Sequence, residues 1–208
     1  MLNRPSRKTM RRPPHSTFGP TTRSPSFPEL SIVVAVQDDE DRIGHLVKAI
    51  AFHLRSLGRP FEILGVNNGS RDNSLSILEL LAARLPELRV VPDGSSGRAF
   101  LQGATQARGT LLVLLDGGRR VSLAPLVWAL SRIAAGRDAV ILRDRYIVTR
   151  LRPALPVLAR ASGPGLLFES VFERRAQAMG LDVVGSRPVP KSPTAFLWAP
   201  VLRFLAAP

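Results

Sequence analysis

Four short segments concentrate the side chains that could do chemistry. They are Gln37-Asp38-Asp39-Glu40, Asn67-Asn68-Gly69-Ser70-Arg71-Asp72, Ser95-Ser96-Gly97-Arg98 and Asp116-Gly117-Gly118-Arg119-Arg120. The carboxylates and amides of the first two can exchange hydrogen bonds with a polar ligand. Glycine and serine at a helix start bring backbone N–H groups close to a phosphate. Arg119 and Arg120 offer positive charge to an anion such as a diphosphate. Asp116 is a single carboxylate, where a hard divalent cation needs several oxygen ligands. Other chemistries are missing from the sequence: it has no Ser/His/Asp triad at recognisable spacing, no P-loop and no Gly-x-Gly-x-x-Gly turn. With no cysteine, disulfides and thiolate metal sites are excluded, and a reducing cytoplasm is the simplest setting. His45 and His53 fall about 80° apart around a helix; with the distant His15 they read as solvated surface histidines rather than metal ligands.

The elements that must position these segments follow from apolar patterning. Leu30–Val36, Phe61–Val66, Leu88–Val91, Leu111–Leu115 and Asp138–Leu142 are short apolar runs that suit strands buried on both faces. Between them, Ile43, Leu46, Val47, Ile50 and Leu54 follow helical spacing, as do Leu75, Leu78, Ala82 and Leu85. Residues 97–108 and 123–135 read as further helices. The alternation predicts an α/β fold with a mostly parallel sheet and helices on both faces. Ligands of such sheets sit beyond the C-terminal strand ends, where all four segments fall. Past Tyr146 the pattern weakens. Residues 150–164 hold three prolines and little periodicity, 166–179 read as a helix and 181–184 as a strand.

The formal net charge of +13 is unevenly spread. Residues 1–28 carry six basic residues and no acid, which leaves 23 basic against 16 acidic residues, or +7, for the rest. That basic, Pro/Ser-rich stretch is too polar to offset its ordering entropy and reads as a disordered tail, either solvated or tethered to an anionic surface. It lacks the apolar centre of a secretory signal. No run reaches the roughly 20 apolar residues of a spanning helix. Residues 198–205 are apolar apart from one arginine, and either pack back on the domain or lie in a membrane interface. Few aromatics and no recognition motif argue against nucleic acid as a partner.

Taken in order, the segments resemble the nucleotide-sugar-binding core of family 2 glycosyltransferases, which have the GT-A fold, and most of all the polyprenyl- and dolichyl-phosphate hexosyltransferases. The strand running into Asp38-Asp39-Glu40-Asp41-Arg42-Ile43 resembles the family's Pro-Val-Tyr-Asn-Glu-Glu strand and helix, with Gln37 for the tyrosine and Asp39 for the first glutamate. Val66-Asn67-Asn68-Gly69-Ser70-Arg71-Asp72-Asn73-Ser74 keeps the frame of Val-Asp-Asp-Gly-Ser-x-Asp-Gly-Ser/Thr with both leading acids amidated. Gly97, Ala99, Gly103 and Gly109 match the Gly-Lys-Gly-x-Ala…Gly…Ala-x-Gly pattern; Ser96 takes the lysine position and Arg98 lies two residues on. Asp116-Gly117-Gly118 stands where the family has the Asp-x-Asp that binds Mg²⁺ or Mn²⁺, so Gly118 replaces the second acid. Residues 136–146 are similar to the family's next strand, and its later Asp-Thr/Ser-x-x-Gly-Phe-Lys motif is absent.

The resemblance implies a tail over 1–28, a GT-A-like core over 29–146 and a shortened acceptor-side region over 147–208 packed on the core. It implies a UDP- or GDP-linked sugar held by Asp39, Asn68, Ser70, Asp72, Gly97, Arg98, Asp116, Arg119 and Arg120. Any Mg²⁺ or Mn²⁺ would rest on Asp116 alone. Two readings of the Asp116 loop stay open: Arg119 and Arg120 bind the diphosphate directly with little need of metal, or the site has decayed. A lipid phosphate acceptor is already ionised and needs no base; for a hydroxyl acceptor, Asp144, Glu169 and Glu173 are candidates. The expected activity is hexose transfer to a lipid phosphate or glycan, in the cytoplasm or at the inner face of the membrane. The alternative is an inactive GT-A-like module that binds a nucleotide, a glycan or a protein partner.

Overall fold

The computed structural model describes residues 27–91, 98–119, 121–142, 146–161 and 168–186. The strands are β1 (Leu30–Val36), β2 (Phe61–Asn67), β3 (Leu88–Val91), β4 (Leu111–Asp116), β5 (Ala139–Leu142), β6 (Tyr146–Arg150) and β7 (Val183–Ser186). The helices are α1 (Glu40–Ser56), α2 (Ser74–Ala82), α3 (Ala99–Gln106), α4 (Leu126–Ala134), α5 (Leu151–Arg160) and α6 (Phe168–Ala178). The described strands form one sheet in the order β3-β2-β1-β4-β6-β5-β7. β1 pairs in parallel with β2 and β4, β2 with β3, and β5 with β7. β6 runs antiparallel between β4 and β5.

The sheet core separates two apolar layers. One holds Ile43, Val47 and Ile50 of α1, Leu78 of α2 and Ala129 and Ile133 of α4 against Ile32, Val34 and Val113. The other holds Ala104 of α3, Val157 of α5 and Phe172 of α6 against Val33, Leu64 and Leu112. Alternate residues of β1 and β4 thus serve opposite layers, and both faces of these strands are buried, which explains their unbroken apolar runs. Gly103 lets α3 settle onto β1: a Cβ there would lie 2.2 Å from Val33 Cγ1.

Three expectations are revised. Residues 146–150 are a strand inside the sheet, so the division expected after 146 falls within β6. Residues 151–160, read as irregular, form α5 despite Pro153 and Pro156. Pro153 lies in the first turn, where no intrahelical donor is needed, and Pro156 is tolerated because Ala154, Val157 and Leu158 are buried on one face. His53 is half-buried rather than solvated: its Nε2 is buried with no hydrogen-bond partner among the described residues, and burial lowers its pKa. The tail (1–28, of which 27–28 are described) and the 198–205 segment otherwise lie outside the described residues.

At the N-terminal edge of the sheet, a buried polar knot ties four elements. Glu62 Oε1 accepts hydrogen bonds from Ser31 Oγ (2.7 Å) and the Arg108 amide (2.6 Å), and Arg89 donates to Oε2 at 2.8 Å. The Gly109 amide donates to Ser31 Oγ at 2.9 Å. Burial alone would raise the Glu62 pKa; the Ser31 hydroxyl, the Arg108 amide and Arg89 together bring it below the ordinary glutamate value.

Candidate functional site

The register of the sheet brings the sequence segments together. Val36 is level with Asn67, and Ala35 with Asp116, so β1, β2 and β4 end side by side. The loops that follow them therefore open on one edge.

The β1 and β2 loops clasp each other. The Asp38 amide donates to Ser70 Oγ, and Asp38 Oδ1 accepts the Arg71 amide at 2.7 Å. These bonds hold Asp38 at φ 53°, a left-handed conformation that an aspartate tolerates better than most residues. Glu40 Oε2 accepts the Asn73 amide, while Asp72 accepts the amides of Glu40 and Ser74. The Ser74 hydrogen bonds come first in lowering the Asp72 pKa. Asn68 Nδ2 donates to Gln37 Oε1 at 3.0 Å, and the Ser70 hydroxyl, which accepts the Asp38 amide, donates to the Val36 carbonyl at 3.4 Å. Ser70 and Asp72, expected as ligand-contacting residues, thus hold the two loops in place.

Asp39 joins this network to the β4 turn. It is 7% exposed, and its amide donates to Ser74 Oγ at 2.8 Å. As N-cap of α1 its carboxylate caps no helix N–H; it turns back to accept the Gln37 amide at 3.3 Å. The carboxylate lies over Gly117 and Gly118, where a Cβ on either glycine would stand 3.1 Å from it. Burial, first, and the charges of Asp116 and Asp72 raise its pKa, against the Gln37 amide and Arg42. Arg42, whose part in the site sequence reasoning missed, donates to the Gly118 carbonyl at 2.9 Å.

Beyond this turn lies a cleft lined by Phe100, Leu114, Asp116, Arg119, Ile147, Phe168 and Glu169. Asp116 Oδ1 accepts the Gly118 amide, and Oδ2 faces Arg119 Nε at 3.5 Å. Arg119 NH1 meets Glu169 Oε1 at 3.4 Å. The rings of Phe100 and Phe168 lie 4.5 Å apart, and Phe168 is buried beneath the first turn of α6. Of the carboxylates considered as bases, Glu169 lines this cleft. Glu173 points towards β7, with Oε1 3.4 Å from a Cβ built on Gly185. Asp144, Gly97 and Arg120 lie outside the described residues. Arg98 is exposed at the N-cap of α3 and makes no ion pair among the described residues. Asn68 does not reach the cleft; it stays with Gln37 on the β1–β2 side.

The fit of a divalent metal can be judged from these contacts. Asp116 is committed to Gly118 and Arg119, position 118 carries no side-chain ligand, and its carbonyl accepts Arg42. Among the described residues no three acidic or histidine side chains are placed to hold a metal ion. Among its described residues the β4 turn offers one side-chain carboxylate, fewer oxygen ligands than a divalent ion takes.

Residues 31–117 match the family model described as Glycosyl transferase family 2. The undecaprenyl-phosphate 4-deoxy-4-formamido-L-arabinose transferase of Pseudomonas paraeruginosa is 33% identical over 115 residues, which is 53% of this chain and 34% of that protein. The chain thus spans about a third of the length of the curated relatives it matches. The mannosyltransferase PcManGT from Pyrobaculum calidifontis, solved with GDP-Man and Mn²⁺, superposes with a TM-score of 0.57 at 16% identity, over 80% of this chain and 59% of that one. TarS 1-349 of S. aureus with UDP-GlcNAc gives 0.53 at 16% identity, over 85% and 65%. The sheet and its helices are those of GT-A glycosyltransferases.

Proposed function

Starting from a glycosyl transferase family 2 domain over residues 31–117, we propose that this chain binds a UDP- or GDP-linked sugar at the C-terminal edge of β1, β2 and β4 and transfers the hexose to a lipid phosphate. The observation that carries the reading is the side-by-side ending of these strands, which stands Asp39 over Gly117-Gly118 beside Asp116. Gln37, Asp39 and Asn68 offer hydrogen-bonding groups to base and ribose. The diphosphate lies towards the Asp116–Arg119 turn, with Gly97, Arg98 and Arg120 contributing from the flanking loops. Ser70 and Asp72 act through the loops they fasten.

In the transfer, an acceptor phosphate oxygen forms a bond to the anomeric carbon as the bond from that carbon to the diphosphate breaks. The nucleoside diphosphate leaves with the electron pair. An ionised phosphate needs no base for this; a hydroxyl acceptor would hand its proton to Glu169, the cleft carboxylate. GT-A neighbours have been solved with Mn²⁺ beside GDP-Man or UDP. Here the described residues of the turn do not fit that ion, and Arg119 is the cation among the described residues that line the cleft.

The relatives' names support a lipid-linked acceptor, and such an acceptor sets the chain at a membrane surface, where the basic 1–28 tail would help to hold it. No helix among the described residues is long and apolar enough to cross a membrane. We place the nucleotide-binding core in 29–146 and the acceptor side in 147–208, with β6 shared between them.

A second reading, a non-catalytic nucleotide- or glycan-binding module, is favoured by one observation. Arg119 already stands between two carboxylates, and Gly118 offers no second acid. Calorimetry with UDP, GDP and their sugars, with Mn²⁺ and then with EDTA, tests binding. Release of the nucleoside diphosphate on adding a polyprenyl phosphate tests transfer. Binding without release favours the module, and no binding of any nucleotide removes the transferase reading and the nucleotide-binding form of the module.

A further inference from the structure

We propose that Arg119 is the resident cation of the cleft, held by Asp116 and Glu169 as two acids would hold a divalent ion, and that it keeps such an ion out. The proposal deepens the reading above and rests on it for the identity of the anion this cation would meet.

The second acid that position 118 lacks is supplied from elsewhere in the fold. Glu169 reaches the cleft from the first turn of α6, where buried Phe168 packs on Phe100 and fixes the turn. The side chains of Arg119 and Glu169 are only 16% and 17% exposed. A guanidinium and a carboxylate so far out of water are each costly to leave unpaired. Asp116 completes the arrangement from the opposite side of the guanidinium, at Nε rather than NH1. Position 118 has little room for an acid of its own, because a Cβ there would press on Asp39 Oδ1 at 3.1 Å. A divalent ion arriving at Asp116 would have to displace Arg119 from that carboxylate and would meet its like charge. With Arg119 removed, Asp116 and Glu169 would lose the cation they share, with Asp39 near Asp116, and cation affinity would rise.

Mn²⁺ alone is the probe, followed by the loss of its free electron paramagnetic resonance signal and by broadening of amide resonances around Asp116. The wild-type chain is expected to show no broadening there at concentrations where Arg119→Ala takes up Mn²⁺ at least tenfold more tightly. Arg119→Lys should behave as wild type, and Arg119→Ala with Glu169→Gln should lose the gain. Equal Mn²⁺ binding at Asp116 by wild type and a folded Arg119→Ala would overturn the proposal. A second measurement uses a dicarbonyl reagent specific for arginine, with peptide mass spectrometry. Glu169→Gln should speed labelling of Arg119 several-fold relative to Arg98, and an unchanged ratio would equally overturn it. Neither measurement uses a nucleotide, so a chain that binds no nucleotide-sugar fails the functional reading while this one is decided separately.

Discussion

Asp39 sits where burial disfavours its charge. Burial raises its pKa, so the native state binds the proton more readily than the unfolded chain does. Stability contributed by this group is therefore lowest at neutral pH and recovers as pH falls through its folded pKa. Asp39→Asn is expected to raise the thermal midpoint at pH 7, with the gain vanishing below the ordinary aspartate pKa, while nucleotide affinity falls; melting curves across pH and calorimetry check the two together. Glu62 has the opposite sign. Its pKa is depressed by the Ser31, Arg108 and Arg89 contacts that overcome its burial, so its contribution is complete above the unfolded value and is lost as pH falls through the folded one. Glu62→Gln should cost about 2–4 kcal/mol at pH 7, because it unpairs Arg89 and weakens two buried hydrogen bonds. The difference from wild type should shrink in denaturant titrations under acid conditions.

Elements carry the next constraint. α3 sits on β1 through Gly103, and the family-like spacing of Gly103 and Gly109 has a packing cause. A Cβ at 103 would meet Val33 at 2.2 Å, and one at 109 would meet Ser31 Oγ at 2.7 Å. Gly103→Ala should therefore destabilise by about 1–3 kcal/mol despite the roughly 1 kcal/mol better helix propensity of alanine. Urea midpoints would show it. β1, β2 and β4 could be read from the sequence because strands buried on both faces leave unbroken apolar runs. β6 was missed although Tyr146-Ile147-Val148-Thr149 is an aromatic and β-branched run; its antiparallel place between β4 and β5 is chosen by the sheet as a whole. α5 was hidden by its prolines, although its buried face follows helical spacing. Gln37, Asp39, Asn68 and Asp116 were legible as members of one edge because they end strands. The meeting of Arg119 with Glu169 was not, for they lie 50 residues apart and belong to different elements.

For the whole molecule, the insertion of β6 matters most. It supplies one partner to β4 and one to β5, and through β5 it connects β7 to the rest of the sheet. A chain cut after Tyr146 would leave two apolar strand edges open, and it would uncover Ala104, Leu112 and Leu114 on the face that α5 and α6 protect. Such a chain should lose its cooperative thermal transition and aggregate, as circular dichroism and gel filtration would report. The family match ends at residue 117, so the folding unit is larger than the part that is recognisable by motif.

The two-glycine turn under Asp39 also makes the order of substitutions matter. Writing an acid back at position 118 would set a new Cβ 3.1 Å from Asp39 Oδ1, beside Asp116 and against a charge balance already met by Arg119. Gly118→Asp alone should be costly, and less so once Asp39 has been neutralised as Asn. A double-mutant cycle with Asp39→Asn would measure that dependence as a coupling of about 1–3 kcal/mol. The glycines of the turn are thus held in place by the carboxylate above them: an acid at 118 stays uphill until that charge has been removed.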